Sequence, residues 1–536
     1  MGILSNFTNL CRFRPDVGLW TKLRTFIKLA GGRRAEQEQK NYQVDVLFIF
    51  PPHARFFGHM AFTFPLGLGW LVSYLKERGI SSMIYHMDYF KKDMRWRFMS
   101  ILDHRIARCV TLWDDFNKHL EDPDDHLWNT LREFIRQTNP KIVGVTATAI
   151  TLKSALVTAR IAKEVNPNIK VVIGGPAATT QTEKVQANEN VDFVVTGEGE
   201  KKMYNVARHV LYGDVLDLDV TPIANLDTLP FPDRESLFTM SDNFKIKQIW
   251  INENINGSRG CPFPCRFCAT KSLWGNPRMR STTNIIDEAE EIVKRYGKRS
   301  FDFGDDLFIF TKKRIMDFCK EWVERGICCK WTCCTRLTNL DEEMLTTMKA
   351  AGCTFLAVGI ESGSDRVLQF LNKVLTVSII REKTALINMA GLGWSALTMC
   401  GVPTETEEEV YMTLRLIEET QPTYVGLSVF SPYPGSDLYN DLAARNMLKT
   451  DKVSDIFFAE NNYSAIPDDR YKAVMHRALA FADCYNVIHM EVRRHYFGNP
   501  VRDTLAYWFR VASSRVQGVA RRIEMRTSFN DILHPR

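Results

Sequence analysis

From Val44 onward the chain settles into a repeating texture: short apolar runs ending in small or acidic residues, with helically spaced stretches between them. VDVLFIF (44–50), SSMIYHMD (81–88), KIVGVTA (141–147), KVVIGG (170–175) and VDFVVTGEGE (191–200) read as strands. LGLGWLVSYLKERG (66–79) repeats its apolar positions as a helix does. An irregular acidic insertion at about 90–138 interrupts the series. Strand, helix and strand at this interval predict a doubly wound parallel sheet, Rossmann-like, whose ligand site lies beyond the carboxyl ends of the strands.

A second series begins near residue 245. Its strands are QIWINENING (248–257), SFDFGDD (300–306), KWTCCT (330–335), TFLAVGIES (354–362), SALTMCGVP (395–403) and YVGLSVFSPYPG (424–435), again alternating with helical segments. Six strand-helix units predict a partial (β/α)6 barrel, with polar residues gathered at the strand ends. The expected division is therefore a basic extension (1–40), a doubly wound domain (41–219), a Pro-rich linker (220–244), the barrel (245–440) and a helical, aromatic C-terminal region (441–536).

Composition adds exclusions. With 45% hydrophobic and 25% charged residues over 536 positions, the chain reads as globular rather than disordered. A net charge of +6 is spread along the sequence rather than gathered into a nucleic-acid face. No apolar run reaches membrane-spanning length, and the first twenty residues lack the plan of a secretory signal, so a cytoplasmic location is expected. Tyr507–Met525 carries aromatics and four arginines. A helix closing the barrel or meeting a second subunit accounts for it, as does an amphipathic helix lying on a membrane, which would suit an apolar substrate.

Thirteen cysteines, an odd number partly in tight groups, point to metal rather than to disulfides. The sharpest group is GSRGCPFPCRFCAT (257–270), where Cys261, Cys265 and Cys268 stand at C-x3-C-x2-C. Structural zinc needs a fourth ligand, for which Cys319, Cys328 or Cys353 would serve. Three thiolates on one loop can instead hold three irons of a [4Fe–4S] cluster and leave the fourth iron open. Pro262 and Pro264 fix the backbone and remove amide donors, and Phe267 is placed to shield one face.

This triplet, with an aromatic before its last cysteine, resembles the signature of radical S-adenosylmethionine (SAM) enzymes, and its surroundings resemble the branch that also binds cobalamin. The resemblance implies a [4Fe–4S] cluster on Cys261, Cys265 and Cys268, SAM on the open iron, and cleavage of SAM to a 5′-deoxyadenosyl radical. It further implies SAM contacts from Phe267, from Gly304, Asp305 and Asp306 after the second barrel strand, from Arg336 after the third, and from Glu361 and Ser362 after the fourth, with Glu361 on the ribose. Helix capping by the two aspartates, an ion pair for Arg336 and solvent exposure for Glu361 remain the plainer readings. Cys333 and Cys334, adjacent on one strand, must point to opposite faces. Each reads as a small buried hydrophobe, with a hydrogen donor or second cluster as the functional alternative.

Residues 44–215 resemble the cobalamin-binding domain that precedes many radical SAM domains. The resemblance implies cobalamin contacts from Pro65, Gly67, Thr146, Thr148, Gly174, Gly175, Gly197 and Glu198, with the nucleotide tail threading between strand-end loops where a side chain would obstruct it. The D-x-H-x-x-G motif that supplies a cobalt-ligating histidine elsewhere is absent, and His53, His59 and His86 are the nearby alternatives. The expected activity is methyl transfer to an unactivated carbon of a small-molecule substrate, apolar or lipid-like, with electrons from a flavodoxin or ferredoxin. Radical cyclisation without methyl transfer, or a cobalamin or iron–sulfur sensor without turnover, are the alternatives. No nucleic-acid partner is expected.

Overall fold

The computed structural model describes residues 43–53, 64–88, 116–239, 253–449 and 461–488. The first sheet comprises β1 (Val46–Phe50), β2 (Ser82–His86), β3 (Ile142–Thr146), β4 (Lys170–Gly174), β5 (Phe193–Val195) and β6 (Leu237–Thr239). All pair in parallel in the order β5-β4-β3-β1-β2-β6. Val46, Leu47, Phe48 and Ile49 are completely or almost completely buried, as a parallel strand covered on both faces requires. The order reverses between β1 and β3, and a doubly wound sheet opens its binding crevice at that switch point.

Two features differ from the sequence expectation. The segment read as linker contributes β6, which pairs with β2 at the sheet edge. The segment read as irregular insertion contains the helix His126–Thr138, capped by the Asp125 side chain. Its buried Leu127, Trp128, Leu131 and Ile135 have helical spacing, but the acidic run just before them hides the start.

The second sheet contains β7 (Glu253–Ile255), β10 (Ser300–Phe303), β11 (Lys330–Thr335), β12 (Cys353–Glu361), β13 (Gly393–Cys400) and β14 (Tyr424–Val429). They run in parallel in the order β14-β13-β12-β11-β10-β7, so neighbours in sequence are neighbours in space, as in a partial barrel. The short β8 (Ser258–Arg259) and β9 (Arg278–Met279) pair antiparallel outside this sheet. One face of the sheet buries Phe303, Trp331, Cys333, Leu356, Val358, Ile360 and Ala396 against the helices. Alternation sends Asp302, Cys334, Gly359 and Leu397 to the opposite, inner face. Helix Asp468–Ile488 covers the outer side of β14, and the Asn486 amide bonds both the N–H and the carbonyl of Val425, at 2.8 and 2.9 Å. This satisfies backbone groups on an edge strand.

Candidate active site

The three thiols lie on an excursion between β8 and β9, closed at its base by the register Ser258↔Met279 and Arg259↔Arg278. Gly260 opens the loop at φ +89°, and a Cβ there would stand 3.2 Å from Trp274 and 3.3 Å from Pro277, so only glycine lets the turn close. The loop is held from the fourth-strand turn: Arg266 N–H donates to the Leu371 carbonyl (3.0 Å), and Asn372 Nδ2 to the Pro264 carbonyl (3.0 Å). Cys261, Cys265 and Cys268 are all half-buried free thiols. Burial, and then the proximity of Cys265 and Cys268, push the Cys261 thiol up. The three sulfurs thus already share one neighbourhood.

Arg336 follows β11 with only 8% of its surface exposed. Its guanidinium donates to Cys265 Sγ (3.5 Å) and to the Lys373 carbonyl, and stacks 3.8 Å from the Phe263 ring centre. No described carboxylate pairs with it, and its buried Nε has no hydrogen-bond partner. A buried cation normally has an anion. Arg336 is therefore aimed, with an unmet donor, at the thiol loop.

Glu361 ends β12 in the left-handed region at φ +61°. Rather than facing solvent, it is buried and paired with Lys373 Nζ at 2.6 Å. The ammonium lies 5.8 Å from the Phe267 ring centre. Gly359 makes room for this pair, because a Cβ there would fall 2.5 Å from Glu361 Oε1 and 2.7 Å from Lys373 Nζ.

The two aspartates after β10 have different tasks. Asp305 serves the backbone: its oxygens accept from Gly257 N–H (3.0 Å) and from the Ser258 hydroxyl, tying β10 to the start of the thiol excursion. Burial pushes its carboxyl up to about 7. Asp306 accepts from Thr270 Oγ1 (3.4 Å), whose oxygen faces Cys268 Sγ at 3.2 Å, and also from the Gly260 backbone, so it touches both ends of the thiol loop. Gly304 lies beside them, 3.0 Å from Asn256 Oδ1 at the position of a Cβ. Ser362 is fully buried; its hydroxyl accepts from Ser364 N–H and faces Thr413, placing it within the turn rather than toward the loop.

The cysteines outside the triplet disperse. Cys319 and Cys353 are buried in the helical core, and Cys328 is exposed on a cavity of about 510 Å³ just before β11, at the opposite end of that strand. Among the described residues no three His, Cys, Asp or Glu side chains converge on a single ion position. Cys333 packs with Cys353, whereas Cys334 faces inward toward Asp302, Asp305 and Asp306, and burial pushes its thiol up to about 12.

At the rim of the first sheet, Gly175 has φ +93°, and a Cβ would lie 2.9 Å from the Ala147 carbonyl and 3.0 Å from Thr146 Oγ1. Its glycine is thus demanded by the protein's own backbone. Thr148 and Thr151 exchange hydrogen bonds within the β3 loop. By contrast, among the described residues a Cβ at Gly67, near Pro65 at the helix start, or at Gly197 would meet no atom within 4 Å, and one at Gly174 would meet its nearest at 3.6 Å. This clear space at the carboxyl ends of the strands suits a bound group that passes close to the backbone. The Glu198 carboxylate at this rim pairs with Arg259 Nη1 (2.9 Å) and with Arg278. His86 is buried, stacked on Phe50 at 4.4 Å and held neutral by burial, its pKa lowered to about 3; His53 is lowered to about 4 for the same reason. His59 and the Tyr507–Met525 segment lie outside the described residues.

Comparison with known proteins agrees with this geometry. The family model described as Radical SAM superfamily matches residues 255–417, and the one described as B12 binding domain matches residues 115–207. An uncharacterized methyltransferase of Pyrococcus horikoshii, PH0819, is 31% identical over 61% of this chain and 74% of its own length. The anaerobic magnesium-protoporphyrin IX monomethyl ester cyclase of Rubrivivax gelatinosus is 29% identical over 62% of each chain, so this chain spans just under two thirds of that enzyme. The solved structure of the radical SAM methyltransferase TsrM from Kitasatospora setae, with cobalamin and [4Fe-4S] cluster bound, shares the fold at a TM-score of 0.58 and 16% identity, covering 75% of this chain and 74% of that one. The chain belongs to the cobalamin-dependent family of radical SAM enzymes. Its cofactors are accordingly a [4Fe–4S] cluster, SAM and cobalamin. Among the described residues no helix is long and apolar enough to cross a membrane.

The sequence reading missed Lys373, Thr270 and the arginines that flank the thiol loop. Lys373 closes the very stretch that contains Glu361, and Arg278 and Arg280 stand just beyond the loop, yet only folding shows which carboxylates they meet.

Proposed function

We propose that the protein transfers a methyl group to an unactivated carbon of an apolar small molecule, with Cys261, Cys265 and Cys268 holding the cluster. The observation that carries the reading is the buried Arg336, which among the described residues has an unmet donor and no acid partner beside Cys265. It is suited to hold the carboxylate of SAM next to the cluster loop. Glu361, paired with Lys373, is suited to accept from ribose hydroxyls, with Phe267 beside that pair and Gly304 and Asp306 at the end of the second barrel strand. Thr146, Gly67, Gly174 and Gly197 leave the rim of the first sheet open for cobalamin. When bound, the cluster supplies the electron that cleaves SAM, and cobalamin supplies a methyl carrier. The chain's own contribution is to orient SAM, exclude water and hold the substrate.

An apolar substrate is supported by one stretch of the inner wall of the second sheet. Leu397 is 39% exposed there, beside the small Gly359 and Gly426. Such a wall binds hydrocarbon surface better than polar groups. A low-potential donor of the flavodoxin or ferredoxin kind completes the system.

The test is anaerobic reconstitution with iron, sulfide and cobalamin, followed by counting of both cofactors and mass analysis of products. One cluster and one corrinoid per chain with a methylated product are expected. Cys261→Ala, Cys265→Ala and Cys268→Ala are each expected to lose the cluster and SAM cleavage, and cleavage retained by any one of them would remove it from the ligand set. A product lacking an added methyl group would replace methyl transfer by ring formation.

A further inference from the structure

Three arginines flank the thiol excursion: Arg259 on β8, Arg278 on β9 and Arg280 just after it. Arg259 is only 6% exposed and lies between the rings of Trp70 and Trp274, at 5.0 and 5.6 Å. Its two outer nitrogens reach different carboxylates of the first sheet's rim, Glu198 at 2.9 Å and Glu200 at 2.5 Å. Arg278 also pairs with Glu198 and donates to the Ile223 carbonyl at 2.6 Å. Arg280 shares Glu288 with Arg234, at 2.5 and 2.7 Å. Glu198 and Glu200 immediately follow β5, beside the open space at Gly197. The base of the cluster loop is therefore bolted to the rim of the other sheet by buried, forked ion pairs.

Buried pairs of this kind add little net stability compared with apolar packing, but they define geometry closely, because each guanidinium nitrogen must meet its oxygen. Hydrophobic contacts alone would let the loop slide against the rim. Two cofactors acting on one substrate cannot tolerate such sliding.

We propose that Glu198 and Glu200, acting through Arg259 and Arg278, are positioning residues that set the cluster loop against the cobalamin rim and thereby couple SAM cleavage to substrate conversion. The coupling part rests on the proposed function; the restraint of the loop does not.

Glu198→Gln, Glu200→Gln and Arg259→Lys test it in the reconstituted holoenzyme. Arg259→Lys keeps the charge but loses the fork, and serves if a glutamate variant fails to fold. Iron and corrinoid content should match wild type, amide hydrogen exchange of residues 260–277 should speed up, and substrate converted per 5′-deoxyadenosine formed should fall about tenfold or more. A purely structural role would lower total activity and leave that ratio unchanged, which would overturn the proposal, as would unaltered exchange in the loop. Loss of corrinoid from Glu198→Gln would return that residue to cobalamin binding. If wild type converts substrate without methylating it, the proposed function falls while exchange and the conversion ratio still decide the role of the clasp.

Discussion

Lys373 is the residue on which the fourth-strand end depends, because it neutralises a glutamate that the fold has buried and placed at a positive φ. Replacing it by methionine leaves that carboxylate without its ion partner, at a cost of about 3–5 kcal/mol. Lys373→Met should therefore lower the thermal midpoint clearly, and Lys373→Met with Glu361→Gln should recover much of it. A midpoint unchanged in the single variant would show the carboxylate to be solvated after all. The thiol triplet was legible because the residues are adjacent and their spacing carries the chemistry. Lys373 was not, because it lies twelve positions from Glu361 and meets it only when the turn after β12 folds back.

At the scale of elements, the glycines at the strand ends divide into one that the protein's own backbone demands and others beside clear space. Gly175→Ala would force a left-handed alanine against the Ala147 carbonyl, costing about 1–3 kcal/mol. It should destabilise the chain with or without corrinoid, read by denaturation in both states. Gly67→Ala meets no atom of the described residues and lies within a helix, so it should leave the corrinoid-free chain at least as stable as wild type and weaken corrinoid binding. Equal corrinoid affinity would place the cofactor elsewhere. Strand positions were readable from their continuous apolar runs. β6 and the helix His126–Thr138 were not, the first because three residues carry too little pattern, the second because acids crowd its start.

At the scale of the whole molecule, stability should depend on pH through groups that burial has shifted. Asp305 is pushed up to about 7 and Glu405 to about 8, both chiefly by burial. Glu405 accepts from Gly401 and Val402 N–H at 2.6 and 3.1 Å, while its Oε1 has no partner among the described residues. In the unfolded chain both acids ionise near pH 4. The folded state therefore binds the extra protons between about pH 4 and 8, and stability falls as pH rises through that window. His53 and His86, lowered to about 4 and 3, act oppositely below about pH 6.5, where the unfolded chain takes up protons first. The net decline should thus show between about pH 6.5 and 8. Glu405→Gln should flatten it, with a larger stabilisation at pH 8 than at pH 6.5 in denaturant titrations. Equal effects at the two values would show that Glu405 is ionised throughout.

By itself the sequence determined the two series of parallel strands, the order of the domains and the thiol loop, since periodicity and close spacing are local properties that survive without a fold. Only the tertiary structure decided that Asp305 ties β10 to the start of the thiol excursion, that Glu198 clasps two arginines, and that Arg336 stands buried beside Cys265 with no acid partner among the described residues. Those outcomes depend on which charges meet across long stretches of chain. A buried charge takes whichever partner the packing brings within reach, and nothing in its sequence neighbourhood states which that will be.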